Sequence, residues 1–176
     1  MESISVQRRG ELVNQTHDLL KLELRDSYKV DDDDLAAWRA GDYQTLEASY
    51  GGWRDVVAGR LAEGKTLRRV RVVSEPLSEY QQMSLRFSGS AVAAGEDLRW
   101  LPRRLVSTIA LPGNDCFVLE GRMAMFNVLD GDNDRSEIQL YTEPEAVKFC
   151  LEAFETAWSI AVPHHEYRPP ETTRLP

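Results

Sequence analysis

The chain has 176 residues, of which 42% are hydrophobic and 28% are charged, a balance typical of a globular protein with a buried core. The formal net charge of −8 disfavours direct partnership with nucleic acid or an anionic membrane. The sequence has no apolar run long enough to span a bilayer, and its first residues lack the apolar stretch of a secretory signal. We therefore expect a cytoplasmic protein with Cys116 and Cys150 as buried free thiols.

The first third of the chain mixes helical and extended patterns. We expect residues 1–8 to be flexible. In residues 20–24, leucines alternate with charged residues, which predicts a strand with one buried and one solvated face; a continuous helix is the alternative. The aspartates at 31–34 favour the start of a helix, and Gly41 and Gly64 predict the ends of two helices.

The middle of the chain has the pattern of a β-α-β unit. Residues 66–74 predict a strand, residues 77–95 are mostly helical in pattern, and residues 97–102 predict a second strand. The two strands are therefore expected to be parallel, with a right-handed crossover.

The last third predicts an antiparallel meander followed by a helix. Residues 116–120 and 122–128 alternate on either side of Glu120-Gly121, a hairpin turn, and residues 136–141 can add a third strand. A capping box of Thr142 and Glu145 then predicts the start of an amphipathic helix, with Trp158 on its buried face.

Together these elements predict an α/β fold: a mixed sheet with a parallel β-α-β unit and an antiparallel C-terminal meander, with helices packed on the sheet. We expect residues 1–167 to form a single domain and residues 168–176 to form a flexible tail. The acidic loop at 130–134 has aspartates at alternate positions but lacks the glycine and glutamate of a calcium-binding loop, so we predict no metal site and no cofactor.

Arginines are the best functional feature of the sequence. They lie on or just after the two parallel strands, where open α/β sheets bind ligands, and four of them are candidate ligand-binding residues: Arg71, Arg99, Arg103 and Arg104. A cluster of guanidinium groups suits a small anionic ligand. The alternative is ordinary ion pairing with nearby acids such as Glu75 and Glu96.

Two adjacent histidines, His164 and His165, follow the last helix and are further candidate ligand-binding residues. Histidines in such a position can bind a ligand, hold a metal or exchange protons. The sequence places no third metal ligand and no nucleophile beside them. A polar edge on a C-terminal segment that folds back on the domain is the alternative.

Four segments carry a resemblance to a known family: RRVRVVSEPLSEYQ, AGEDLRWLPR, LPGND-F and AVPHHEY. Across roughly residues 19–167 the chain closely resembles an actinobacterial family of uncharacterised proteins, domain of unknown function 6879. The resemblance implies a protein encoded beside, or working with, a helix-turn-helix regulator, and another protein partner is the alternative. Most members have an aromatic pair and an aspartate where this chain has Cys116-Phe117 and Glu120.

The order of the elements is also similar to that of the phospholipase D-like fold, in which a hairpin follows a catalytic His-x-Lys-x4-Asp motif. When the hairpins are aligned, residues 114–117, Asn-Asp-Cys-Phe, occupy the place of the His and Lys. The phosphohistidine mechanism requires that His as nucleophile and that Lys to hold the phosphate. The resemblance therefore implies a non-catalytic relative, and no catalytic residue is assigned.

The leading functional hypothesis is a non-catalytic domain that binds a ligand or a protein partner within a transcription-regulatory or signalling system. The alternative is a phosphodiesterase- or nuclease-like enzyme that uses both histidines and the arginines on a phosphate ester. The two hypotheses predict different geometry. Convergence of His164, His165 and Arg99 in one deep pocket favours the enzyme, and histidines on an open surface favour the binding domain.

Overall fold

A computed structural model describes residues 1–170, and residues 171–176, most of the predicted tail, lie outside the described part of the chain. Its strands are β1 (Glu2–Ser3), β2 (Asp18–Glu23), β3 (Thr66–Val73), β4 (Asp97–Pro102), β5 (Asp115–Leu119), β6 (Met123–Leu129), β7 (Arg135–Tyr141) and β8 (Val162–Pro163). Its helices are α1 (Val6–Gln15), α2 (Asp32–Ala40), α3 (Tyr43–Ala62), α4 (Glu79–Phe87), α5 (Gly89–Ala93) and α6 (Pro144–Ile160).

All of these strands join in one mixed sheet, in the order β1-β7-β6-β5-β2-β3-β4-β8. Strands β2, β3 and β4 run parallel, and the other neighbouring pairs are antiparallel. The predicted α/β architecture, with its parallel β-α-β unit and antiparallel meander, is confirmed. The predicted hairpin turn is confirmed as well, since Glu120 and Gly121 have φ values of +52° and +64°, as the two central residues of a type I′ turn require, and Leu119 pairs with Met123 across the connection.

Helix α6 covers one face of the sheet. Its apolar stripe packs on alternate residues of the central strands, and Cys116 and Cys150 meet within this core as buried free thiols. The predicted capping box is wrong, because Glu143 precedes the helix and no side chain caps its first N–H groups. Pro144 occupies the first turn instead and leaves fewer N–H groups to satisfy.

Helices α1 to α5 cover the opposite face. One prediction fails on this side. Residues 1–8, expected to be flexible, contain β1, which pairs with β7, and the capped start of α1. The mostly helical pattern predicted over 77–95 is confirmed, with a division at Ser88 into α4 and α5. None of the helices within residues 1–170 is both long and apolar enough to cross a bilayer.

A β-bulge marks the start of β7. Leu129 pairs with Arg135 and Val128 pairs with Glu137, so Ser136 has no partner across the ladder. A bulge shifts the alternation of side chains between the two faces of a sheet. This shift turns Arg135 toward the face covered by α1 to α5, where it lines a cavity.

Candidate functional site

Charged residues of β2 and β3 point toward the helices α1 to α5 rather than toward solvent. Lys21 and Glu23 on β2 lie beside Arg69 and Arg71 on β3, and the parallel register pairs Lys21 with Arg69 and Glu23 with Arg71. The expectation that β2 has a solvated face is therefore wrong. Both of its faces are covered, one by apolar side chains and the other by a network of opposite charges.

These side chains form the floor of a cavity of about 270 Å³ between the sheet and the helices. Among the described residues, its wall carries basic and acidic side chains in equal number: Arg9, Lys21, Arg69, Arg71 and Arg135 against Glu23, Asp31, Asp34, Glu96 and Asp115. Aromatic side chains complete the wall: Tyr28, Tyr50, Trp53 and Tyr80. A concave, mainly preformed space with convergent polar groups is the usual form of a small-molecule site.

Glu23 is the central anion of the floor. One of its carboxylate oxygens contacts Lys21 and lies 3.3 Å from Nη1 of Arg69, and the other lies 2.8 Å from Nε of Arg71. Burial alone would raise the pKa of Glu23, but the neighbouring cations outweigh burial and hold the pKa well below its ordinary value. Glu23 therefore stays ionised and neutralises part of the buried positive charge.

Arg69 is held from two further sides. Its Nε lies 2.6 Å from Oε1 of Glu96, and its guanidinium lies 5.0 Å from the ring centroid of Trp53. The indole N–H of Trp53 donates to Oε2 of Glu96 at 2.9 Å. Ion pair, cation–π contact and hydrogen bond close a small ring, so Arg69 is a structural member of the floor.

The guanidinium of Arg71 has fewer partners than that of Arg69. It is 6% exposed, and its pairing with Glu23 occupies Nε, while Nη1 is buried without a hydrogen-bond partner among the described residues. Its guanidinium lies 5.7 Å from the ring centroid of Trp100. Burial opposes the charge, but Glu23 and the surrounding tyrosines together outweigh burial and raise the pKa of Arg71 above its ordinary value. Arg71 therefore presents a permanent charge with an unused N–H donor to the cavity.

Asp115 and Tyr28 form the side of the cavity next to β5. The Asp115 carboxylate accepts a 2.7 Å hydrogen bond from the backbone N–H of Leu24. Burial raises the pKa of Asp115, and burial with the negative charge of Glu23 raises the pKa of Tyr28 well above its ordinary value. The Tyr28 hydroxyl is therefore neutral and able to donate.

Of the four arginines predicted to bind a ligand, Arg71 alone lines this cavity. Arg99 points to the other face of the sheet, where its guanidinium lies 3.9 Å from the ring centroid of Trp158 and donates to the Trp158 carbonyl. Arg104 is exposed and pairs with Glu75 at 3.1 Å, as the ion-pairing alternative predicts.

Arg103 ties together the carboxyl ends of the parallel strands. It donates to the backbone carbonyl oxygens of Leu24 and Val72 at 2.6 and 3.2 Å and to Oγ of Ser74 at 3.0 Å. It also lies 3.4 Å from the carboxylate of Asp26. These contacts engage Nε and Nη2, so Arg103 functions as a clamp between strand ends and lies outside the cavity wall.

The two histidines lie outside the described cavity wall and have different surroundings. Nδ1 of His164 accepts a 3.0 Å hydrogen bond from the indole N–H of Trp100, the residue on which Arg71 stacks. Burial and the charge of Arg71 lower the pKa of His164. His165 is exposed and contacts Glu166. His164 therefore supports the cavity from behind, and His165 belongs to the surface.

The sequence did not predict most of the residues that line the cavity. Tyr28 lies in the loop after β2, Tyr50 and Trp53 lie on α3, and Tyr80 lies on α4, and nothing in their spacing brings them to one place. One indication was present: β2 and β3 each carry two charged residues of the same parity, which parallel pairing places side by side. Within residues 1–170, no three His, Cys, Asp or Glu side chains converge as metal ligands.

Comparison with known proteins identifies the family of the chain. No curated protein matches the sequence. One family model matches residues 8–169, which include every strand from β2 to β8 and every residue that lines the cavity. The chain therefore belongs to the family described as "Domain of unknown function (DUF6879)".

Proposed function

We propose that this protein is a non-catalytic binding domain that takes a small anionic molecule into the cavity above Glu23 and Arg71. The observation that carries the proposal is the buried, unpartnered Nη1 of Arg71 at the cavity. A buried donor without an acceptor costs about 1–3 kcal/mol, more when the group is charged. An oxygen of a bound carboxylate or phosphate removes that cost and forms a charge-assisted hydrogen bond.

The sign of the ligand's charge follows from which atoms are left unpartnered. The carboxylate groups of Glu23 and Glu96 lie within ion-pair distance of Lys21 or guanidinium nitrogens, whereas Nη1 of Arg71 and Nε of Arg9 and Arg135 have neither an ion-pair contact nor a hydrogen-bond acceptor within residues 1–170. Among the acceptors of the described wall, Oδ1 of Asn127 is likewise buried without a partner. The buried guanidinium donors without a partner therefore outnumber the buried acceptor oxygens that have no ion-pair or hydrogen-bond contact. A ligand that supplies anionic oxygens is the complement of such a wall.

The enzyme alternative has less support. His164, His165 and Arg99 do not share a pocket, because Arg99 lies on the α6 face and His165 is exposed. No histidine is among the described residues that line the cavity, and a phosphohistidine mechanism needs one. A phospholipase D-like ancestry is compatible with the mixed sheet and stays a prediction. The binding domain predicts that the purified protein does not hydrolyse bis-p-nitrophenyl phosphate above the buffer rate.

A thermal-shift screen tests the binding function. Carboxylates, inorganic phosphate, sulfate and mononucleotides are added to the purified protein at one ionic strength set with chloride. A ligand that binds the folded state raises the melting temperature in a saturable way. We expect at least one of these anions to do so in the wild type and to lose most of the effect in Arg71→Lys, which keeps the charge but has no guanidinium fork.

Arg104→Lys is the matched control, because Arg104 is an exposed arginine on the same edge of the sheet. Its shift should equal that of the wild type. An equal shift in the wild type and in Arg71→Lys would contradict binding at Arg71. If chloride produces the same shift in melting temperature, the shift arises from charge screening and not from binding of the anion.

The family resemblance suggests the setting in which such a ligand would act. We infer that the domain reports the presence of its anion to a helix-turn-helix regulator or another protein partner. A ligand-dependent change in partner affinity is the thermodynamic signature of such a sensor. Co-purification with the partner in the presence and absence of the anion measures that change.

A further inference from the structure

We propose that the ligand carries two acidic groups, one bound by Arg71 and the other by Arg9 and Arg135 at the far end of the same cavity. This inference rests on the proposed function and deepens it by naming the chemical class of the ligand. Three observations carry it: the pairing state of Arg9 and Arg135, the other cations that share the cavity wall with Arg9, and the position of Arg9 and Arg135 across the sheet from Arg71.

Arg9 and Arg135 lack the acidic partners that neutralise the arginines of the floor. Arg9 lies on α1, and the neighbouring Glu11 pairs with Arg8 at 3.3 Å. Asp134 precedes Arg135 but binds Lys29 at 3.1 Å. The Nε atoms of Arg9 and Arg135 are buried and have no hydrogen-bond partner within residues 1–170. Two guanidinium groups at one end of the cavity therefore retain unused donors.

Arg9 shares the cavity wall with two further cations, Lys21 and Arg135. The guanidinium of Arg9 lies 5.0 Å from the ring centroid of Phe117, and the nearby Lys21 ammonium lies 5.4 Å from the same centroid. Burial and the charge of Arg135 lower the pKa of Arg9. Like charges in a partly desolvated space are unfavourable unless an anion lies between them. A bound carboxylate or phosphate bridging Arg9 and Arg135 supplies that anion.

The Arg9–Arg135 pair and Arg71 approach the cavity from different strands. Arg71 belongs to β3 and Arg135 to the start of β7, with β2, β5 and β6 between them in the sheet. Neighbouring strands lie about 4.8 Å apart, so the backbones of Arg71 and Arg135 are separated by roughly 19 Å. The guanidinium groups of the two anchors also lie over different strands, since that of Arg71 lies against Trp100 on β4 and that of Arg9 lies over Phe117 on β5, with β2 and β3 between them. A ligand that uses both anchors therefore carries an acidic group at each end.

A series of linear dicarboxylates from succinate to suberate, with the monocarboxylate of equal chain length as the partner of each, tests the inference by calorimetric titration. Alkane bisphosphonates of the same lengths distinguish phosphate from carboxylate recognition. We expect one chain length at which the dicarboxylate or bisphosphonate binds at least about tenfold more tightly than the matched single-ended compound, as a second charge-assisted contact provides.

Substitutions test which arginines bind each end of the probe. Arg135→Gln and, independently, Arg9→Gln should reduce the affinity for the two-ended probe to that for the single-ended one, whose own affinity stays unchanged. Arg71→Lys should weaken both probes. Arg122→Gln, at the exposed hairpin turn, should alter neither, and far-UV circular dichroism verifies that each variant is folded.

The outcomes separate this inference from the binding function. If two-ended and single-ended probes bind with equal affinity at every chain length, and this binding still depends on Arg71, the proposal of a ligand with two acidic groups is wrong. The proposed anion-binding function is then unaffected. If binding depends on Arg9 and Arg135 but not on Arg71, both proposals are wrong, because both place an acidic group of the ligand at Arg71. If no probe binds saturably, the inference falls together with the anion-binding function.

Discussion

Glu23 and Arg71 occupy paired positions on the parallel strands β2 and β3, and their carboxylate and guanidinium meet at 2.8 Å beneath the cavity. Lys21 and Arg69 share the other oxygen of the same carboxylate. The network therefore depends on one anion that is surrounded by three cations. A buried group of this kind is costly to break from one side, because the remaining charges stay desolvated.

Replacing Glu23 with Gln should therefore destabilise the fold. We expect the free energy of unfolding to fall by about 3–5 kcal/mol in urea denaturation, since three buried cations lose their common partner. Glu155→Gln is the control, because Glu155 forms a partly exposed ion pair with Arg68 at 3.0 Å and should cost less than about 1 kcal/mol. Equal costs for the two variants would mean that the cavity floor is already solvated.

Replacing Arg103 with Gln tests the clamp between strand ends. It removes hydrogen bonds to two carbonyl oxygens and to Ser74. Because the Arg103 side chain is 40% exposed, screening reduces the expected loss to about 1–2 kcal/mol in the free energy of unfolding. Arg104→Gln, whose exposed side chain pairs with Glu75 alone, should be nearly neutral. A neutral Arg103→Gln would show that water replaces its contacts without cost.

The amphipathic pattern of α6 was predicted correctly from the sequence, but the pattern did not show which of its aromatic side chains is buried more deeply. Phe154 is fully buried, whereas Trp158 is half-buried, stacks on Phe154 at 5.6 Å and is covered by Arg99. We expect Phe154→Ala to cost about 3–5 kcal/mol and Trp158→Ala about 1–3 kcal/mol. Denaturant melts of both variants measure the two losses in the free energy of unfolding. A larger loss for Trp158→Ala than for Phe154→Ala would mean that the core lies on the outer side of the helix.

His164 should make the stability depend on pH near neutrality. Its pKa is lower in the folded protein than the ordinary value of 6.5, so the unfolded chain binds the proton more readily. The contribution of His164 to stability is thus fully present above pH 6.5 and decreases as the pH falls toward the folded-state pKa. Thermal melts between roughly pH 5 and pH 8 should show this slope.

His164→Asn should flatten that slope, because its amide oxygen can still accept from Trp100 but does not titrate in this range. His165→Asn is the control, since His165 is largely exposed, and this variant should keep the wild-type slope. If His165→Asn removes the slope and His164→Asn keeps it, the pH dependence arises at the surface and not behind the cavity.

The fold could be predicted because its signals are local. The β-branched run of β3, the glycine that ends α2 and the Glu120-Gly121 turn each determine their own conformation over a few residues. The two-residue strands β1 and β8 were missed, since two residues carry no periodicity. Their pairing is decided by the edges of a sheet that forms from distant parts of the chain.

The site could be predicted less well, for a physical reason. Alternating leucines and charges on β2 describe a solvated face and a buried charge network equally well. What decides between them is the tertiary covering by α2, α3 and α4, which brings Tyr28, Tyr50 and Tyr80 over the strands. Arg71 was a candidate from its place on β3, but Arg9 and Arg135 were not, because a helix and a β-bulge direct them to the cavity.

The most direct test of the account is a crystal structure of the protein with the anion that gives the largest saturable thermal shift. We expect electron density for that anion in the cavity, with one of its oxygens within hydrogen-bond distance of Nη1 of Arg71. Density for water alone in the cavity, with the anion bound elsewhere or absent, would contradict the central claim.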